Sequence, residues 1–186
     1  MAGQGLSAGP GALLLAAFLY YAGGGAALAA FFTAMLAHEL GHLAAMVLTG
    51  ADVDRVRLTA AGPILEYHGV LSLRQEMGVA AAGPAAGLVF ASSCAVLNTP
   101  YFRYAGLIAL LSSAFNLLPA LPLDGGRLAL AALRMGLPEA DALRILRVSG
   151  LACGLCAAVT GAFLRSIWAV GVGIWLAVLA VRDDLR

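Results

Sequence analysis

The chain contains no lysine; all eleven of its cationic side chains are arginine. Charged residues make up only 11% of it, against about 25% in ordinary soluble domains. The formal net charge is +1, so no basic face could neutralise many phosphates, and nucleic acid is excluded as a partner. Arginine without lysine, beside abundant alanine and glycine, suggests GC-rich coding, and a prokaryotic source is expected. Cysteine is scarce too. Cys94 stands alone, and Cys153 and Cys156 form a CxxC with no second pair and no nearby charge to activate a thiol. They read as small, soft packing residues one helical turn apart. The N-terminal segment lacks the positive region of a signal peptide, so the apolar run Leu6 to Ala22 is expected to be a retained helix. No internal repeat or linker interrupts the 186 residues, and a single membrane-embedded domain over 1–186 is expected.

What is present is apolar. Hydrophobic residues make up 62% of the chain and its mean hydropathy is +0.92. The runs predict an all-α polytopic membrane protein with about six transmembrane helices. These are 6–22, 26–48 after Gly23-Gly24-Gly25, 79–97, 102–118, and two halves of 148–180 divided at Leu164-Arg165-Ser166. A more amphipathic stretch, 128–147, is expected to lie at the interface. The polar stretch 51–78 alternates at Val56-Arg57-Leu58 and Leu65-Glu66-Tyr67 around a turn signal at Gly62-Pro63, which predicts a small membrane-associated β-hairpin. The spacing Gly83-Pro84-Ala85-Ala86-Gly87 permits close helix approach. Six spans put the termini, 49–78 and 119–147 on one side, with Arg55, Arg57, Arg74, Arg127, Arg134, Arg144, Arg147, Arg182 and Arg186. Arg103 and Arg165 fall on the other side. The expected product is a multi-pass cell-membrane protein with both termini cytoplasmic.

From Ala26 to Leu48 the only ionisable side chains are His38, Glu39 and His42. Charge inside a span is costly, so such residues are functional suspects, and these three form an HExxH. On a helix His38 and His42 share a face and can chelate one metal ion, while Glu39 is positioned to act as general base. The alternative, histidines bonded to carbonyls and Glu39 paired with an arginine, leaves three costly groups in one span. A catalytic zinc site takes three protein ligands and keeps a fourth position for water. Asp124 is the leading third ligand. It follows the broken segment Pro119-Ala120-Leu121-Pro122, and spans two and four run in the same direction, so the active-site side is expected to be cytoplasmic. Glu66 and His68 are rivals, and Asp124 could instead cap a helix. Arg127 reads as a marker of the membrane surface.

These motifs carry a resemblance. An HExxH in a span, followed by Asn116-Leu117-Leu118-Pro119-Ala120-Leu121-Pro122-Leu123-Asp124-Gly125, resembles the site-2 proteases, the intramembrane zinc metalloproteases. The resemblance covers a three-helix catalytic core of about 26–127, with Gly83-Pro84 matching a small-residue motif of the middle helix. It looks most like the compact, sporulation-type branch without a PDZ or CBS domain. It implies one Zn2+ held by His38, His42 and Asp124, with Glu39 as the catalytic base. It further implies hydrolysis of transmembrane protein substrates in the lipid bilayer, as in regulated intramembrane proteolysis. Asn116 and the strand region 51–78 are the expected substrate-binding elements, and a regulatory membrane protein is a possible partner. A prenyl-protein endopeptidase is the rival enzyme, though its third ligand would be Glu. A non-catalytic metal-binding or transport protein is the rival outside enzymes, and it would have no need of Glu39.

Overall fold

The apolar runs fold as helices in a computed structural model of the chain, which describes residues 7–8, 10–50, 52–59, 62–68, 71–97 and 99–181. The helices are α1 (Pro10–Thr49), α2 (Leu73–Leu97), α3 (Pro100–Asn116), α4 (Asp124–Leu133), α5 (Glu139–Phe163) and α6 (Ile167–Val181). Three short strands, β1 (Ser7–Ala8), β2 (Asp52–Thr59) and β3 (Gly62–His68), pair in the order β1-β2-β3. Among the described residues, Gly23–Thr49, Leu73–Leu97 and Glu139–Phe163 are long and apolar enough to cross a membrane.

Several boundaries differ from the sequence expectation. The two expected N-terminal helices are both present, but they meet directly at Gly24 (φ 68°, ψ −168°), whose non-helical conformation turns the chain without a loop. Residues 1–6 of that region lie outside the described residues. At the other end of α1, Gly50 (φ 73°) takes the left-handed conformation that stops a helix. Gly62 and Pro63 belong to β3 and pair with Thr59 and Leu58 of β2, so they are not the turn. Helix α2 begins six residues before the expected Val79, which takes 73–78 out of the strand region. Ser72 and Gln75 explain the start: Ser72 N–H donates to Gln75 Oε1 at 2.9 Å and Gln75 N–H to Ser72 Oγ at 3.3 Å, a reciprocal N-terminal cap. The amphipathic stretch 128–147 is divided between two helices. It breaks between Leu133 and Glu139, where Gly136 and Pro138 stand, and its second part continues into the apolar α5.

The chain forms two compact units. The first comprises 1–71 and 82–113. Its buried stripe on α1 is Ala30, Ala34, His38, His42 and Met46, a spacing of four that keeps one helical face inward. Leu36, Leu40 and Val47 point outward from the same helix. Small residues let α2 and α3 come close: Gly106 faces Cys94, and Ala30, Cys94 and Ala105 form a buried cluster against Phe90, Phe102 and Ile108. Tyr101 Oη lies 3.2 Å from Thr33 Oγ1, which itself donates to the Ala29 carbonyl.

The second unit comprises 72–81 and 114–186. Helices α5 and α6 form a hairpin across the turn 164–166, where Arg165 has φ 51°. Gly154, Gly161 and Gly173 bring the two backbones together. Ala120, Leu123 and Leu176 form this unit's buried cluster, flanked by Phe115 and Leu118. Arg134 lies 4.0 Å from Glu76 and 3.7 Å from Glu139, tying the start of α2 to the start of α5.

The hairpin contact predicts that Gly154→Val lowers the thermal midpoint of the detergent-purified protein, because a Cβ at 154 already meets the Ala177 amide at 2.6 Å. Overpacking of this kind costs about 1–3 kcal/mol. Gly171→Ala, which adds its methyl to open space, should leave the midpoint unchanged or slightly raised.

Candidate metal centre

Helix α1 carries His38, Glu39 and His42 on consecutive turns. His38 and His42 are buried and Glu39 is half-buried. The two imidazoles cross edge to face, with ring centroids 4.8 Å apart, and their Nε2 atoms are 3.2 Å apart. Two neutral rings can share one N–H across such a gap; a cation can accept a lone pair from each. Two nitrogens on a tetrahedral zinc stand about 3.4 Å apart, given Zn–N bonds of 2.0–2.1 Å, so the observed spacing fits a shared metal ion.

The His42 ring is seated by the neighbouring helix. A Cβ at Gly83 would fall 2.5 Å from His42 Cε1 and 2.6 Å from Cδ2, so the ring lies directly over a bare Cα of α2. One residue earlier on α1, Gly41 meets the Ala82 carbonyl and the Ala86 methyl in the same way. The small-residue spacing in α2 thus does more than allow generic helix packing. It leaves the slot that the second histidine fills.

Asp124 is the first residue of α4, with a buried side chain. The cap position belongs to Leu123 and makes no side-chain cap bond, so the helix-cap reading of Asp124 does not hold. The positive end of the helix dipole favours a carboxylate there. Its approach is set by irregular backbone over 117–123. Leu118 N–H donates to Phe115 O at 3.1 Å, Ala120 N–H to Leu118 O at 2.8 Å and Leu123 N–H to Ala120 O at 2.9 Å. Gly125 and Gly126 let that backbone close on the first turn of α4; any Cβ there would run into the carbonyls of Leu117, Leu118 and Ala120. The Leu121–Pro122 bond is cis. Arg127, taken from sequence as a surface marker, stands 4.0 Å from Asp124 Oδ1. The i,i+3 spacing on a helix was the signal for this pair.

His38, His42 and Asp124 form a group that could hold a metal ion: each offers one ligand atom, these atoms lie within 4.8 Å of one another, and all three residues are buried. Two nitrogens and one carboxylate oxygen are a zinc donor set. Asn116 is the last residue of α3 and is half-buried. Glu66 and His68 lie in β3, and their side chains are outside the described residues. Cys153 and Cys156 are free thiols on α5, apart from this group.

Rip3 of Mycobacterium tuberculosis, named as a zinc metalloprotease, is 30% identical over 172 residues, which is 81% of this chain and 44% of Rip3. Stage IV sporulation protein FB of Bacillus subtilis is 34% identical over 119 residues, 60% of this chain and 41% of that protein. The chain therefore spans less than half the length of the curated relatives it matches. The solved site-2 protease from Methanocaldococcus jannaschii shares the fold, with a TM-score of 0.74 at 20% identity over 94% of this chain and 86% of that one. No family model matches the chain.

The seat beneath His42 gives a direct expectation. Gly83→Ala should weaken zinc binding by about 10- to 100-fold, the usual range for a lost support behind a metal ligand, read by competition with a chromophoric chelator. Gly78→Ala, on the same helix with open space around it, should bind as wild type. Equal affinity in Gly83→Ala would contradict the seat.

Proposed function

The chain belongs to the site-2 protease family, and from that premise we propose that it is an intramembrane zinc metalloprotease that hydrolyses peptide bonds of transmembrane proteins. The observation that carries this reading is the buried group of His38, His42 and Asp124, with Glu39 next to the first of them in the HExxH. His38, His42 and Asp124 would hold one zinc ion. When bound, zinc would supply Lewis acidity, which polarises a carbonyl and brings the pKa of water to about 7.

The remaining work falls to the chain itself. Glu39 accepts a proton from the attacking water at its carboxylate and returns it to the leaving amine. Its half-buried position keeps the carboxylate short of full hydration, which suits an acid–base group. Asn116 hydrogen-bonds the substrate backbone or the developing oxyanion. A helical substrate must unwind before its peptide bonds are reachable, and the outer edge of β3, at the end of the order β1-β2-β3, receives the unwound segment by strand addition. The antiparallel pairing of Asp52–Thr59 with Gly62–His68 supports that role. The protein is a membrane protein; six spans with cytoplasmic termini are the topology that the arginine distribution supports. Helices α3 and α6, at 17 and 15 residues, are shorter than the roughly 20 a span prefers and would need local thinning of the bilayer.

The test uses the purified full chain, a zinc measurement and a transmembrane substrate. Glu39→Gln should retain zinc and lose cleavage by about 10²- to 10⁴-fold, the usual weight of a general base. Asp124→Ala should lose most of both. Cleavage undiminished in Glu39→Gln contradicts the mechanism.

A further inference from the structure

A serine or threonine in an apolar helix normally turns its hydroxyl back to the carbonyl one turn earlier. Thr33, Ser92 and Ser93 do this, donating to Ala29, Leu88 and Val89. Ser149 on α5 does not. Its hydroxyl donates to the carbonyl of Pro119, thirty residues earlier in the chain. Pro119 lies in the irregular backbone that leads into Asp124, where carbonyls have no helical partner and each needs a donor from elsewhere.

The neighbouring residue adds a second contact at the same place. Gly150 is buried, and a Cβ at that position would stand 3.5 Å from the Ala120 methyl and 3.0 Å from that of Ala180. Helix α5 thus meets the segment at two consecutive residues, by a hydrogen bond at Pro119 and by close packing at Ala120. Ala120 in turn lies against Gly126, two residues beyond Asp124. A shift of Pro119 and Ala120 therefore transmits to the first turn of α4 with little slack.

We propose that Ser149 is a positioning residue for Asp124. Its bond to the Pro119 carbonyl fixes the 117–123 segment from α5 and so sets where the Asp124 carboxylate stands. The inference rests on Asp124 being a zinc ligand, and it makes α5 part of the metal centre's support.

The experiment measures zinc affinity of the full chain in detergent or nanodiscs, by competition with a chromophoric chelator, for wild type and variants at residue 149. Ser149→Ala is expected to weaken binding about tenfold or more, as loss of a ligand's support does. Ser149→Cys, close in size but a weak donor, should fall with it, and it serves as the reading if the alanine variant does not fold. Ser149→Thr, which keeps the hydroxyl, should return affinity to within about twofold of wild type. Gly154→Ala, a packing change elsewhere on α5, should lower the thermal midpoint and leave affinity unchanged. Wild-type affinity in both Ser149→Ala and Ser149→Cys overturns the inference, as does a Ser149→Thr as weak as Ser149→Ala. A wild-type chain that binds no zinc overturns the reading of the site itself.

Discussion

The His42 imidazole lies over the Cα of Gly83, and this contact governs how α1 and the following part of α2 fit together. A ring can occupy that place only if α2 offers no side chain there, and Gly41 makes the matching concession on α1 one residue earlier. The result is backbone-to-backbone approach at the depth of the HExxH. It fixes the azimuth of α1, which turns the stripe Ala30, Ala34, His38, His42, Met46 inward and leaves Leu36, Leu40 and Val47 outward. Apolar side chains can meet lipid at no cost; imidazoles cannot. The helix therefore has one favourable rotation, and in it the two Nε2 atoms come within 3.2 Å.

The other half of the centre is organised by backbone. Asp124 opens α4 after seven residues of irregular chain, and glycines at 125 and 126 allow that chain to lie against the helix start. Irregular backbone in an apolar protein has to find hydrogen-bond partners within itself or from a neighbour. Short-range bonds satisfy Ala120 and Leu123, and α5 reaches the Pro119 carbonyl through Ser149. A carboxylate held this way is placed by packing and hydrogen bonds rather than by a long regular element. Its helix N-terminus stabilises the charge, and Arg127 contributes from one turn on.

The HExxH, the apolar runs and the Pro-x-Asp-Gly segment made the three buried ligand candidates legible in sequence, because ionisable residues are conspicuous where nothing else is charged. The break at 164–166 was legible for a similar reason, from a polar interruption. Ends of elements were harder. The Ser72–Gln75 cap is a four-residue signal inside a polar stretch that also alternates, and tertiary packing decided for the helix. Gly24 was visible as a breaker, but whether a glycine run makes a loop or only a kink depends on the φ one residue adopts. The seat beneath His42 and the Ser149 bond could not be read at all. Each joins residues about thirty or more apart in sequence, and nothing local marks the partner.

The central claim is that His38, His42 and Asp124 are the protein ligands of one zinc ion. X-ray absorption of the zinc-loaded Glu39→Gln protein tests it most directly, since that variant keeps the ligands and does not turn over. The account predicts one zinc per chain with a first shell of nitrogen and oxygen scatterers at about 2.0–2.2 Å and two imidazole signatures. A sulfur shell near 2.3 Å, which would bring in Cys153 and Cys156, or an oxygen-only shell, would contradict it.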